Sequence, residues 1–381
     1  MVCKNDNMRK ISLSVFLLLC SFLAQSQQIL KGRLIAEDTR LPVNAASIYL
    51  SNTSAGTISK NDGSFQIHPF PNGRYDLVVS VLGFETYVIA VQSNKLPDFL
   101  EIVLKPKVND LQEIVVEPYD KNGWEKWGNF FKNNLIGKTP NSFDCELKNP
   151  EVVKFRFKKK ENILKAIADE PLVIENKALG YILKYSLTAF EFNFTTNIFY
   201  YQGYPFFTEM ETDSPSNIKP WQRNRVDAYQ GSLMNFMRAV FRNRIAEEGF
   251  EVRKAFHEEK IPGTAFSSTR TYDYVSDHLL TGDSIAFGVD STTVGMWFSD
   301  NLQVTYPAKR MSNYYTKEYR RSEPIGPQTA EIVMPNKNAR IYITANGGYY
   351  YGKDLIVLAY WAWSEKLSNL LPLEFKAPFK E

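Results

Sequence analysis

Pro71-Asn72-Gly73-Arg74-Tyr75-Asp76-Leu77-Val78-Val79-Ser80-Val81-Leu82-Gly83-Phe84-Glu85 is the stretch that decides the architecture of the first part of the chain. Pro-Asn-Gly supplies the positive-φ position of a tight reversal, and Leu77, Val79 and Val81 then recur with the period of two that marks a half-buried strand. Gly83 lets the chain reverse again before a further strand starts at Glu85. Working outward, Ala46, Ile48 and Leu50 form one more alternating set and Leu100, Ile102 and Leu104 another, while Asn61-Asp62-Gly63 is a second turn able to close a hairpin. About seven strands at this spacing fit before Pro106, which predicts a β-sandwich.

The residues Gly32, Pro42-Val43, Ala45, Ile48, Thr57, Asp62-Gly63-Ser64-Phe65, Tyr75, Leu77 and Val81-Leu82-Gly83-Phe84-Glu85 together resemble the carboxypeptidase regulatory-like domain. That domain is a transthyretin-like sandwich, of carbohydrate-binding-like fold, attached to many exported bacterial proteins. In metallocarboxypeptidases it is an appendage without catalytic residues, so the resemblance implies no peptidase activity.

The N-terminus reads as a signal peptide over residues 1–26. Met8-Arg9-Lys10 is a basic start, Ile11 to Leu23 an apolar stretch, and Ala24-Gln25-Ser26 a small-residue cleavage site. The apolar stretch is short beside the roughly 20 residues of a membrane span. Leu19 stands before Cys20 where a lipidation signal would have a small residue, which argues against lipidation there. Cleavage removes three cationic residues and one acid from a chain of formal charge +3, and takes Cys3 and Cys20 with it. The mature chain keeps Cys145 alone, read as a small apolar residue rather than a nucleophile. So balanced a charge gives no case for a nucleic-acid partner.

Residues 107–137 read as a connection. Leu111-Gln112-Glu113-Ile114-Val115-Val116 is a β-prone run, a linker strand or a docking peptide, and it resembles the segment after this sandwich in TonB-dependent transporters. The chain that remains is too short for their plug and barrel. Asn122 with Glu125 suggests a capping box, and Trp124, Trp127, Phe130, Phe131 and Leu135 a helical stripe that Gly137 and Pro140 end. Residues 138–381 read as a larger β-rich α+β domain with one or two helices, the main one near residues 222–248 and divided at Gly231-Ser232. Ala178-Leu179-Gly180-Tyr181, the cluster Arg223, Arg225, Tyr229, Gly231-Ser232, Phe236 and Arg238, and the tail Tyr360-Trp361-Ala362-Trp363 with Leu370-Leu371-Pro372-Leu373 resemble a family of exported Gram-negative proteins. These carry the same sandwich and no assigned activity, so the resemblance implies architecture and compartment only.

Chemistry is sparse. His68, His257 and His278 stand in no His-x-x-Glu or His-Glu-x-x-His pattern, so no metallocarboxypeptidase zinc motif is present and no metal or cofactor is expected. Gly137-Lys138-Thr139 follows a helix, the reverse of a phosphate-binding loop, and Gly282-Asp283-Ser284 lacks the second glycine of a nucleophile elbow. With no catalytic residue to name, the expectation is a non-enzymatic cell-envelope protein, periplasmic or associated with the outer membrane. It would dock an envelope protein partner, such as an outer-membrane complex. Two other classes stay open. A carbohydrate-binding accessory of an uptake system would present Trp297, Tyr314 and Tyr315 to a glycan, with Lys154, Arg156 and Lys158 as a basic strand face. A hydrolase would need a buried, perturbed acid in a cleft.

Overall fold

The computed structural model describes residues 28–107, 118–260, 270–319 and 324–378. The expected signal peptide with Cys20, and the Leu111 to Val116 run, lie outside the described residues.

The alternating sets of the first part become β1 (Leu30–Ala36), β2 (Ser47–Leu50), β3 (Gly56–Ile58), β4 (Ser64–Ile67), β5 (Arg74–Ser80), β6 (Tyr87–Gln92) and β7 (Leu100–Leu104). They form two sheets, ordered β4-β1-β7 and β3-β2-β5-β6. The first joins β1 antiparallel to β4 and parallel to β7; the second is antiparallel throughout. The inward sets meet as period two requires: Ala46, Ile48, Leu50, Leu77 and Val79 are fully buried in one cluster with Leu34, Phe65, Ile102 and Leu104. Each of the larger side chains contributes about 1.5–3 kcal/mol by leaving water. Gly63 turns at φ +76°, and a Cβ there would lie 2.4 Å from the Leu34 carbonyl oxygen.

Next comes α1 (Gly123–Leu135). The expected capping box is not made: Asn122 forms no side-chain cap bond. Asp120 holds the start of the helix instead. Its carbonyl accepts from Gly123 N at 3.0 Å and its Oδ2 from Trp127 Nε1 at 2.8 Å. The aromatic stripe docks the helix onto a sheet. Phe131 lies 4.8 Å from Phe190 and edge-on to Phe155 at 5.6 Å, and Phe130 meets Phe192 at 4.9 Å. Phe131 and Leu135 are fully buried, so this helix of the connecting region is part of the core that follows.

That sheet holds β8 (Cys145–Leu147), β9 (Val153–Lys158), β10 (Ile163–Ala168), β11 (Leu172–Asn176), β12 (Tyr181–Asn193) and β13 (Ile198–Glu209). Its order is β8-β11-β12-β10-β9, with β13 also paired to β12 in a long hairpin. The helical region after it is two helices, α2 (Pro215–Tyr229) and α3 (Leu233–Phe241). They part where expected: Gly231 takes φ +74°, and Ser232 Oγ caps α3 by accepting from Asn235 N at 3.1 Å.

The rest runs β14 (Glu251–Lys260), β15 (Arg270–Val275), α4 (Gly282–Ile285), β16 (Ala286–Asp290), β17 (Thr293–Met296), β18 (Asn301–Arg310), α5 (Asn313–Tyr319), β19 (Pro327–Val333), β20 (Ile341–Thr344), β21 (Tyr349–Tyr350), β22 (Ile356–Ala359) and α6 (Tyr360–Ser364). Two sheets result, ordered β15-β14-β18-β19-β22 and β16-β17-β20-β21. From α3, Phe236, Met237 and Val240 pack with Val252, Ile332 and Ile343 in a core separate from that of α1. The fold is mainly β, as expected, and the region after residue 138 is built around two cores rather than one. Among the described residues no helix is long and apolar enough to cross a membrane, which says nothing of strands.

Candidate functional site

Five segments far apart in the chain close a polar cleft of about 240 Å³. The reversal Gln230-Gly231-Ser232 between α2 and α3 forms one wall, and Gly231 O accepts from Trp361 Nε1 at 2.8 Å, which holds α6 beside it. The end of β18 brings Lys309 and Arg310. Gln328 on β19 donates to Arg310 O at 3.4 Å and to the Tyr360 hydroxyl at 3.3 Å. Thr139-Pro140-Asn141 makes the remaining side, tied to the tail by Asn141 Nδ2 to Asn369 Oδ1 at 2.9 Å.

Inside the cleft acids and bases are matched. Lys309 Nζ lies 2.9 Å from Asp227 Oδ1. Glu365 is half-buried, and loss of water pushes its carboxyl up to about 7. A hydrogen bond from the Leu233 backbone N–H and the nearby Lys309 charge pull it the other way without cancelling that cost. Trp363, 6% exposed, also lines the cleft, and its indole Nε1–H is buried without a hydrogen-bond partner among the described residues.

The residues named from sequence as a binding surface do not gather there. Tyr314 is exposed as expected and packs its ring 5.2 Å from exposed Phe143. Tyr315, the next residue on α5, is not a platform: it is 5% exposed, with ring centroids 5.2 Å from Tyr360 and 5.6 Å from Trp363. Adjacent helical side chains point about 100° apart, so one tyrosine faces solvent when its neighbour faces the core. Trp297 is half-buried, spends its Nε1–H on Lys337 O at 2.8 Å, and has the Arg340 guanidinium 4.9 Å from its ring. It offers no free face.

The basic strand is likewise not a free cationic face. Lys154 pairs with Asp169 and Lys158 with Glu161, while Arg156 sits 4.5 Å from the Tyr119 ring. Alternation on β9 was legible; the acids supplied by neighbouring segments were not. The arginines of α2 and α3 also have structural partners. Arg242 meets Glu248 at 3.1 Å, and Arg225 takes Glu209 at 2.8 Å. Arg238, 5% exposed, donates to three backbone carbonyls, Asn346 at 2.9 Å and Leu373 and Phe375 at 3.0 Å. Half-buried Cys145 has its thiol pushed up to about 12 by burial. Asp227, Lys309 and Glu365 carried no sequence signal; Gly231-Ser232 was read as a helix break and the Tyr360 to Trp363 tail as a point of resemblance, neither as part of a site.

A second feature is the seat of the sandwich. The β2–β3 loop lies on the end of the β12–β13 hairpin: Asn52 N donates to Pro205 O at 2.7 Å, and Phe207 N to Thr53 O at 2.9 Å. Tyr49, 4% exposed, bonds Ser186 Oγ at 2.9 Å and rests its ring 5.0 Å from Phe206. The tail closes over the loop, with Leu373 N donating to Asn52 O at 2.7 Å and Glu374 accepting from Ser54. Tyr350 Oη donates to Arg74 O at 2.8 Å. The sandwich is held at a fixed angle by bonds from adjacent strands at one end of its second sheet, the end that carries both the β2–β3 loop and Arg74.

Residues 30–116 match the family model of the CarboxypepD_reg-like domain, so the first part of the chain is such a domain. No curated protein matches the chain in sequence. Among solved structures it is similar to a protein of Bacteroides fragilis NCTC 9343 described as membrane-associated and of unknown function, at 14% identity and TM-score 0.17. That match covers 42% of this chain and 64% of the other, so the chain spans under two thirds of that neighbour. It is also similar to a DUF3823 family protein of Bacteroides ovatus ATCC 8483, at 13% identity and TM-score 0.18, over 49% of this chain and 82% of that one. Scores this low carry neither fold nor role across.

Proposed function

We propose, with the CarboxypepD_reg-like domain as premise, that this is an exported, non-enzymatic cell-envelope protein, periplasmic or outer-membrane-associated, that docks a protein partner of an envelope complex. That class of domain is non-catalytic. The observation that carries the reading is how the sandwich is mounted. One end of its second sheet is committed to the seat, while β4 and β7 are the outer strands of the first sheet and pair, among the described residues, only with β1. Open strand edges are templates for an added strand from a partner, and a rigid mount presents them without an ordering cost.

Two large apolar residues mark the same end of the sandwich. Leu41 is 63% and Leu82 83% exposed. Glu37 N donates to Leu104 O at 2.9 Å and Lys107 N to Gly83 O at 2.8 Å, so both leucines flank the finish of β7. Affinity purification of the full chain from native envelopes, read by mass spectrometry, tests the reading. Co-recovery of an envelope protein with wild type, lost in the Leu41→Asp/Leu82→Asp variant, supports it. Recovery of wild type alone in the soluble periplasmic fraction refutes it.

A further inference from the structure

We propose that the cleft between the α2–α3 reversal, the end of β18 and α6 binds a neutral saccharide unit, with the exposed Phe143–Tyr314 pair as its stacking rim. This goes beyond partner docking and uses a different face of the chain.

Size comes first. The cleft measures about 240 Å³. That suits one small ring and falls below the roughly 300–1,000 Å³ of sites for larger ligands.

Charge comes next. Asp227 is closed on Lys309 at 2.9 Å and the Arg310 guanidinium donates to Ile325 O at 2.7 Å, while the Glu365 carboxyl, pushed up to about 7, is about half protonated at neutral pH, so no strong free charge selects an anion or a cation. What the walls offer is interleaved donors and acceptors: carboxylates and amide oxygens beside ammonium, guanidinium and amide N–H groups. A hydroxyl both donates and accepts, and a ring carrying several of them uses such a mixture fully. An extended peptide would want an open strand edge, and three of the five lining segments are helix ends and turns.

Two further observations point the same way. The Trp363 indole lines the cleft, so a ring seated there lies against it, and its N–H, buried out of reach of a ligand oxygen, reports occupancy through its chemical shift. Phe143 is 64% and Tyr314 52% exposed, each stands two residues beyond a cleft-lining position, Asn141 and Ser312, and their rings meet at 5.2 Å. Paired exposed rings beside a polar cleft suit the two characters of a sugar, an apolar C–H face and a polar rim.

The test is protein-observed NMR of indole N–H groups on the full mature chain, with the Trp363 signal assigned by its loss in Trp363→Phe. The probes are glucose, galactose, mannose, N-acetylglucosamine and their short oligomers, with inorganic phosphate and triglycine as comparators. A saturable shift of Trp363 with at least one saccharide is expected, its affinity about tenfold weaker in Tyr314→Ala and in Phe143→Ala. Both of those side chains are exposed, so the variants keep the fold, and an unchanged circular dichroism spectrum checks it. The proposal is overturned if no saccharide moves Trp363, if phosphate or triglycine moves it and the saccharides do not, or if both alanine variants bind as wild type does.

Discussion

Arg238→Met probes the joint that links the cores to the sandwich. Arg238 leaves the buried face of α3 and holds three carbonyls at once, two of them in the tail at Leu373 and Phe375. The same tail residue, Leu373, donates to Asn52 of the sandwich at 2.7 Å. Methionine keeps most of the volume and leaves three carbonyl oxygens without their charged donor. Each charge-assisted bond is worth about 1.5–3 kcal/mol net, and no longer burying a cation returns part of the loss. A fall of about 3 kcal/mol follows. At about 2–4 °C per kcal/mol for a region of this size, Tm drops by roughly 6–12 °C. Calorimetry measures the drop, and hydrogen exchange of the Leu373 amide reports whether the tail has released Asn52. Arg238→Lys is expected to recover only part of the loss, because a single ammonium lacks the planar fork that spans three acceptors. If the Met variant melts within 2 °C of wild type and Leu373 stays protected, the account of this joint is wrong.

Glu365→Gln tests the buried acid of the cleft. Its folded carboxyl sits at about 7 against an ordinary 4.5, so ionisation penalises the folded state: nothing below about pH 4.5, increasing with pH, and complete above about 7 at roughly 3 kcal/mol. The variant should therefore out-melt wild type clearly at pH 8 and hardly at pH 4.5; an equal gap at both would show that burial of charge is not the cause. Gly56→Ala places a Cβ 2.8 Å from the Phe206 ring and 3.0 Å from Tyr49 Cβ, at the seat of the sandwich. A cost of about 1–3 kcal/mol and faster exchange at the Phe207 amide are expected, and an unchanged Tm would mean the seat is looser than described. Cys145, its thiol pushed up to about 12, should resist a thiol-specific disulfide reagent at pH 8 until the protein is unfolded. Rapid labelling of the native chain would contradict its burial.

The sequence by itself determined the features whose signals are local. Period-two alternation at Ala46 to Leu50 and Leu77 to Val81 placed the sandwich, because strand geometry alone puts every second side chain on one face. Gly231-Ser232 split a helix because a positive φ and an N-cap act within one turn. The stripe from Trp124 to Leu135 named the face of α1 that docks on a sheet. Tertiary structure alone decided what depends on distant partners. Which of Tyr314 and Tyr315 meets solvent was set by Tyr360 and Trp363, and whether Lys154 and Lys158 form a cationic face by Asp169 and Glu161. Asn122 and Glu125 had capping-box spacing, yet the Asp120 carbonyl takes the Gly123 N–H and its carboxylate tethers Trp127. The cleft brings together residues 139–141, 227–232, 309–312, Gln328 and 360–369, and no one of these segments marks the cleft by itself. Local patterns record the conformational preferences of a few residues. A site assembled from five segments is recorded only in how their buried faces fit, and that exists once the chain has folded.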